Sequence, residues 1–137
     1  MVGRARSIDA AVPASVALQI VRGLIDQACL HAGVALEQVA RIGVAFGGPV
    51  DVDRGLTLLS HRAPGFDDFP IVNLLEEQLQ IPVLLDNSAR AATMGEAWYG
   101  AARGAKDVIY VHLGTGVGGG FIVDGRLVQG TSGTAGE

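Results

Sequence analysis

The sequence predicts an α/β protein, and three observations carry that prediction. Segments with apolar residues at helical spacing alternate with short runs rich in Val, Ile and Leu, the pattern of a layered α/β fold. The strand-like runs end in glycine or in polar turn residues. Apolar residues make up 49% of the 137-residue chain and charged residues 18%, which suits a packed core and argues against disorder.

The elements follow in order. Residues 1–12 read as loose. Residues 13–32 predict an amphipathic helix, with Val16, Ile20, Leu24 and Ala28 recurring every four residues and Val21 and Ile25 beside them. Pro13 suits its first helical position and Gly33 its C-terminal stop. Residues 41–46, RIGVAF, read as a buried strand running into the turn Gly47-Gly48-Pro49. Residues 56–60 predict a second strand, and the Pro- and Gly-bearing stretch 61–70 a loop. A short helix over 71–79 precedes a strand over 81–86, where Pro82 fits a strand beginning. Good helix formers fill 88–100. Residues 107–114 are rich in β-branched and aromatic residues and predict a strand. Residues 118–130 predict a hairpin turning at Asp124-Gly125.

Charge and composition exclude several functions. The net charge is −4, and the ten Lys and Arg form no basic stripe, so direct nucleic-acid binding by this segment is not expected. No apolar run approaches the roughly 18 residues of a membrane span, and no secretory signal opens the chain. The single cysteine, Cys29, cannot form an internal disulfide and fits a reducing cytoplasm. Histidines 31, 61 and 112 follow no zinc spacing. His31 falls at a helix end and His112 within a strand, at its core or edge, which leaves His61 as the histidine site candidate.

Three segments carry chemistry. HLGTGVGGG at 112–120 runs a strand straight into clustered glycines. Such a loop can turn successive backbone N–H groups toward phosphate oxygens, with the Thr115 hydroxyl as a further donor. No Gly-Lys-Ser/Thr follows, and no helix, so neither a Walker loop nor a dinucleotide fingerprint fits. A plain hairpin with glycines at its bends explains the same residues. At 84–96, LLDNSARAATMGE, a strand ends at Asp86-Asn87 and a helix begins at Ser88. Ligands of open α/β folds gather at such strand ends, although all three residues are also good helix caps. At 41–55, Gly48 and Pro49 either approach a ligand closely or form a structural turn. Asp51 and Asp53 suit a solvated turn.

Taken together, these segments resemble the ROK family (repressor, ORF, kinase) of sugar kinases and glucokinase-like proteins. VAFGGPVDVDRG is similar to its Val-Ala-x-x-Gly-Pro-Val-Asp segment, and SHRAPGFDDFP to a substrate loop. DNSARAATMGEAWYGAARG resembles its Asn-Asp-Ala-Asn-Ala-Ala-Ala-Leu-Gly-Glu helix. HLGTGVGGGFIVDGRLVQG resembles its second phosphate segment, and GTAGE the start of Ala-Gly-Glu-x-Gly-His. The resemblance runs from about residue 41 to residue 137.

The resemblance implies part of a two-lobed, actin-like ATPase (ribonuclease H-like) fold. Residues 1–104 would form most of the smaller lobe, without its first strands, and 105–137 the start of the larger. It implies ATP with Mg²⁺ as phosphate donor and a carboxylate that deprotonates a sugar hydroxyl. It places Gly114, Thr115, Gly116 and Gly118 beside the nucleotide phosphates, and Gly48, His61, Arg62, Asn87 and Glu137 against the sugar. A homodimer follows from the resemblance alone.

The departures shape the expected function. Ser88 falls where the family carries its catalytic Asp, and a serine hydroxyl is a very poor base at neutral pH. Asp86 could substitute only if the loop rearranged. Arg90 replaces the following Asn, near the sugar pocket, and Arg62 stands at an Asn or Gln position. The family's Asp-x-Gly-Gly-Thr segment, Gly-His pair and cysteine-rich zinc motif do not occur in the 137 residues. The chain therefore reads as a partial product or an excerpt: a sugar-binding or sensing segment with catalysis lost. The alternatives are an active ATP-dependent hexokinase or glucokinase, and a segment of a sugar-responsive transcriptional repressor whose DNA-binding part would lie upstream.

Overall fold

The computed structural model describes residues 12–60, 63–114 and 116–137. The loose reading of the N-terminus therefore falls mostly outside the described residues.

The first helix, α1 (Ala14–Ala32), begins one residue later than predicted. Pro13 is its N-cap, because the Pro13 carbonyl already accepts from the Val16 and Ala17 N–H groups at 3.0 Å. Gly33 ends the helix in the left-handed region at φ 65°, which lets the Val34 N–H return to the Cys29 carbonyl at 3.1 Å. Its apolar stripe, with Leu18, Val21 and Ile25, joins the main core.

Strands β1 (Ile42–Phe46) and β4 (Val83–Asn87) pair in parallel, Ile42 opposite Val83 and Phe46 opposite Asn87. The expectation of a buried first strand is corrected here. Side chains alternate across a strand, so Ile42, Val44 and Phe46 turn to the core while Gly43 and Ala45 lie exposed. Two short strands lie between them in sequence, β2 (Val50–Asp51) and β3 (Leu56–Thr57), paired antiparallel. β2 had no sequence signal, and β3 is shorter than the predicted 56–60. Thr57 explains the shortening. Its N–H donates to the Phe69 carbonyl at 3.0 Å and its hydroxyl to the Phe66 carbonyl at 2.6 Å, so the chain joins the following loop in place of a longer ladder.

Helix α2 (Ile71–Leu79) presents Ile71, Leu75 and Leu79 to Val83 and Leu85 of β4. Phe66 completes this core, tilted against Phe46 and edge-on to Phe69 at centroid distances of 5.6 and 5.3 Å.

Helix α3 (Ser88–Tyr99) follows β4 directly. It packs on a separate antiparallel sheet of β5 (Val108–Leu113), β6 (Val117–Val123) and β7 (Arg126–Leu127). The turn between β6 and β7 has Asp124 at φ 49° and Gly125 at φ 76°, the paired positive values of a tight hairpin, as the Asp-Gly pair predicted. No helix among the described residues is long and apolar enough to cross a membrane.

Candidate functional site

The site forms where β4 ends and α3 begins. Asn87 is the N-cap of α3 and only 7% exposed. Its side-chain oxygen accepts from the Ala89 and Arg90 N–H groups at 2.7 and 3.2 Å. That is the capping role weighed from sequence, and it uses only the acceptor half of the amide. The donor half reaches out. Asn87 Nδ2 donates to the Gly48 carbonyl at 3.1 Å and to the Glu137 carboxylate. One amide thus joins three segments distant in sequence.

Gly48 is buried, and a β-carbon there would lie 2.7 Å from the Leu59 carbonyl oxygen and 3.1 Å from the Phe46 ring. Only glycine leaves the turn room to bring its carbonyl to Asn87.

These residues line a cleft of about 120 Å³ together with Ser88, His112, Gly116 and Gly118. Ser88 is part-buried in its wall, at the first turn of α3. Of the candidates named from sequence, Gly48, Asn87, Ser88, Gly116, Gly118 and Glu137 come together here. Gly114 lies at the adjoining turn, where its N–H donates to the Gly116 carbonyl at 2.9 Å. His61, Arg62 and Thr115 lie outside the described residues.

The glycine cluster serves two ends. Gly114 and Gly116 turn β5 into β6, so this segment is a hairpin. Gly118, Gly119 and Gly120 lie within β6 and let neighbours approach. A β-carbon on Gly118 would lie 3.3 Å from the Ala89 Cβ, and one on Gly120 would overlap the Thr93 side chain. Both the packing and the cleft therefore depend on these glycines.

Asp86 and Arg90 form a separate arrangement. Arg90 is 0% exposed, and its Nε donates to Asp86 Oδ1 at 2.7 Å. Nη1 donates to the Gly133 carbonyl at 2.5 Å. Nη2 has no well-angled hydrogen bond, yet it lies 2.5 Å from Asp86 Oδ1, so its charge is compensated by the ion pair. The guanidinium faces a second hollow of about 240 Å³, bordered by Asp51, Thr131 and Ser132. Neither Arg90 nor Asp86 lines the Asn87–Ser88 cleft. Asp51 accepts from the Arg54 N–H at 3.0 Å, the turn role its position suggested. No group of three or more His, Cys, Asp or Glu among the described residues is placed to hold a metal ion.

His112 is the residue that sequence reasoning missed. It was assigned to the core or edge of a strand, and it is exposed in the cleft wall. The available signal was its register. Alternation puts Tyr110 and His112 on one face of β5, and the following glycines mark where that face opens.

The ROK family profile matches residues 7–137. The chain is 41% identical over 97 residues to a glucokinase of Halalkalibacterium halodurans, covering 70% of this chain and 29% of that protein. It is 36% identical over 108 residues to the DNA-binding transcriptional repressor Mlc of Escherichia coli, covering 77% of this chain and 26% of that protein. The chain thus spans less than a third of either relative. A ROK family glucokinase from Streptomyces griseus, solved in complex with glucose and AMPPNP, superposes with a TM-score of 0.83 at 30% identity, over 93% of this chain and 39% of that one. The fold is that of the ROK glucokinases, an actin-like ATPase fold. On the family match and these likenesses, the chain belongs to the ROK family.

Proposed function

We propose that this chain is the sugar-binding part of a ROK protein that senses a sugar and has lost phosphoryl transfer. The sugar sits against Gly48, Asn87 and Glu137, and the family resemblance adds His61 and Arg62 to its contacts. Nucleotide phosphates, brought as ATP with Mg²⁺, lie along Gly114, Thr115, Gly116 and Gly118. Glu137 is the one carboxylate among the residues lining the cleft, so magnesium would be held chiefly by the nucleotide phosphates. Residues 1–104 and 105–137 belong to two lobes, a division supported by their separate sheets.

One observation carries the loss of transfer. Ser88 lines the cleft where the family pattern has its carboxylate, and Asp86, the nearest acid in sequence, is ion-paired to Arg90 and turned away from it. General-base assistance is worth about 10²–10⁴-fold, and a serine hydroxyl does not supply it. Similarity to the Mlc repressor supports a sensory role within a regulator. The test is calorimetric titration with a panel of hexoses beside an assay of ATP-dependent hexose phosphorylation. Binding without turnover is expected. Turnover at ordinary kinase rates restores the active-kinase reading.

A further inference from the structure

We propose that His112 is an anion-contacting residue of the cleft, its imidazole donating to a phosphate group held there. The proposal rests on the reading of this cleft as a sugar and phosphate site, and adds a residue that the family motifs do not name.

His112 stands on the last turn of β5 before the glycine hairpin, directly opposite Gly118 of β6. Gly118 has no side chain, so nothing on the partner strand fills the space in front of the ring. The imidazole leans toward the hairpin: a β-carbon on Gly114 would lie 3.0 Å from His112 Nε2. Tyr110, two residues earlier on the same face, stacks with it at a centroid distance of 6.4 Å and an interplanar angle of 28°. The ring lines the cleft.

The charges around it favour an anion. The residues of β6, Val117–Val123, carry no ionisable side chain. On α3, Arg90 faces the other hollow, and Glu96 accepts from the Ala101 N–H at 2.8 Å, far along the helix. Glu137 is the one carboxylate in the cleft wall, and it is bonded to Asn87. A carboxylate at position 88 would repel a phosphate, whereas the Ser88 hydroxyl can donate to one. Ser88 and His112 both line this cleft, and both can donate to an anion. A ring N–H of the imidazole can donate a hydrogen bond to such an anion.

The phosphate has two sources, the terminal phosphate of a nucleotide or an ester on the sugar. The experiment measures binding of neutral hexoses, of the same hexoses as 6-phosphates, and of the imido analogue of ATP. It compares the wild-type protein with His112→Gln and Ser88→Asp, each confirmed folded by its melting curve. The wild type should bind a phosphate-bearing ligand about ten-fold more tightly than His112→Gln does. Ser88→Asp should weaken the same ligand, and neutral hexoses should be indifferent to His112→Gln. The arm that responds identifies the source. Equal affinity of wild type and His112→Gln for the phosphate-bearing ligands overturns the proposal, as does binding of neutral hexoses alone. Binding of nothing in the panel overturns the reading of the cleft as well.

Discussion

Arg90 Nη1 lies 2.5 Å from the carbonyl oxygen of Gly133, so a side chain of α3 with no solvent exposure holds the loop that leads to Glu137. The same guanidinium is anchored on Asp86 at the end of β4. The position of Glu137 over Asn87 thus depends on the Asp86–Arg90 ion pair.

That dependence sets the first prediction. Breaking a buried ion pair by removing one partner costs about 3–5 kcal/mol, because the other charge is left uncompensated. Asp86→Ala should fall in that range, since it strands Arg90 at 0% exposure. Arg90→Ala should cost less, since Asp86 keeps 27% of its side chain in solvent. Urea denaturation of the two single variants and the double variant should give a coupling well above 0.5 kcal/mol, the level at which contacting residues separate from independent ones.

Gly120 packs against Thr93 so closely that a methyl group would overlap its side chain. Gly120→Ala should destabilise by about 1–3 kcal/mol through overpacking. Thr93→Ala in the same chain should recover part of that loss, and thermal melting of the four proteins measures it. Additive effects would place the crowding elsewhere.

Asn87→Ala removes a helix cap worth about 1 kcal/mol and, with it, the bonds to Gly48 and Glu137. Hexose binding should vanish in this variant, and circular dichroism should show the helix largely retained. Asn87→Asp keeps the cap acceptors and sets a carboxylate against Glu137. It should therefore retain more stability than Asn87→Ala and bind hexose no better.

Much of this architecture was legible from particular residues. The helix over 14–32 follows from its apolar spacing and its stop, that over 88–99 from its helix formers, and the β6–β7 turn from Asp124-Gly125. The strand at 42–46 was found but its burial was overstated, because a short apolar run reads alike whether one face is covered or both. β2 escaped notice because two residues carry no period. At the site, the Asn87–Gly48–Glu137 junction joins positions 39 and 50 residues apart, a relation that motif resemblance pointed to and local propensity could not. The buried role of Arg90 was invisible, since a long cation after a strand reads as solvated or ligand-facing until its partners, Asp86 and the 129–133 loop, are seen to close over it.

The most direct test compares ATP-dependent hexose phosphorylation by the wild-type protein and by Ser88→Asp, with hexose binding measured on both. The expected result is hexose binding with background turnover in the wild type, and a rise in turnover when the carboxylate is supplied, up to the roughly 10²–10⁴-fold of general-base assistance. Turnover by the wild type that equals or exceeds that of Ser88→Asp would contradict the loss of catalysis at Ser88.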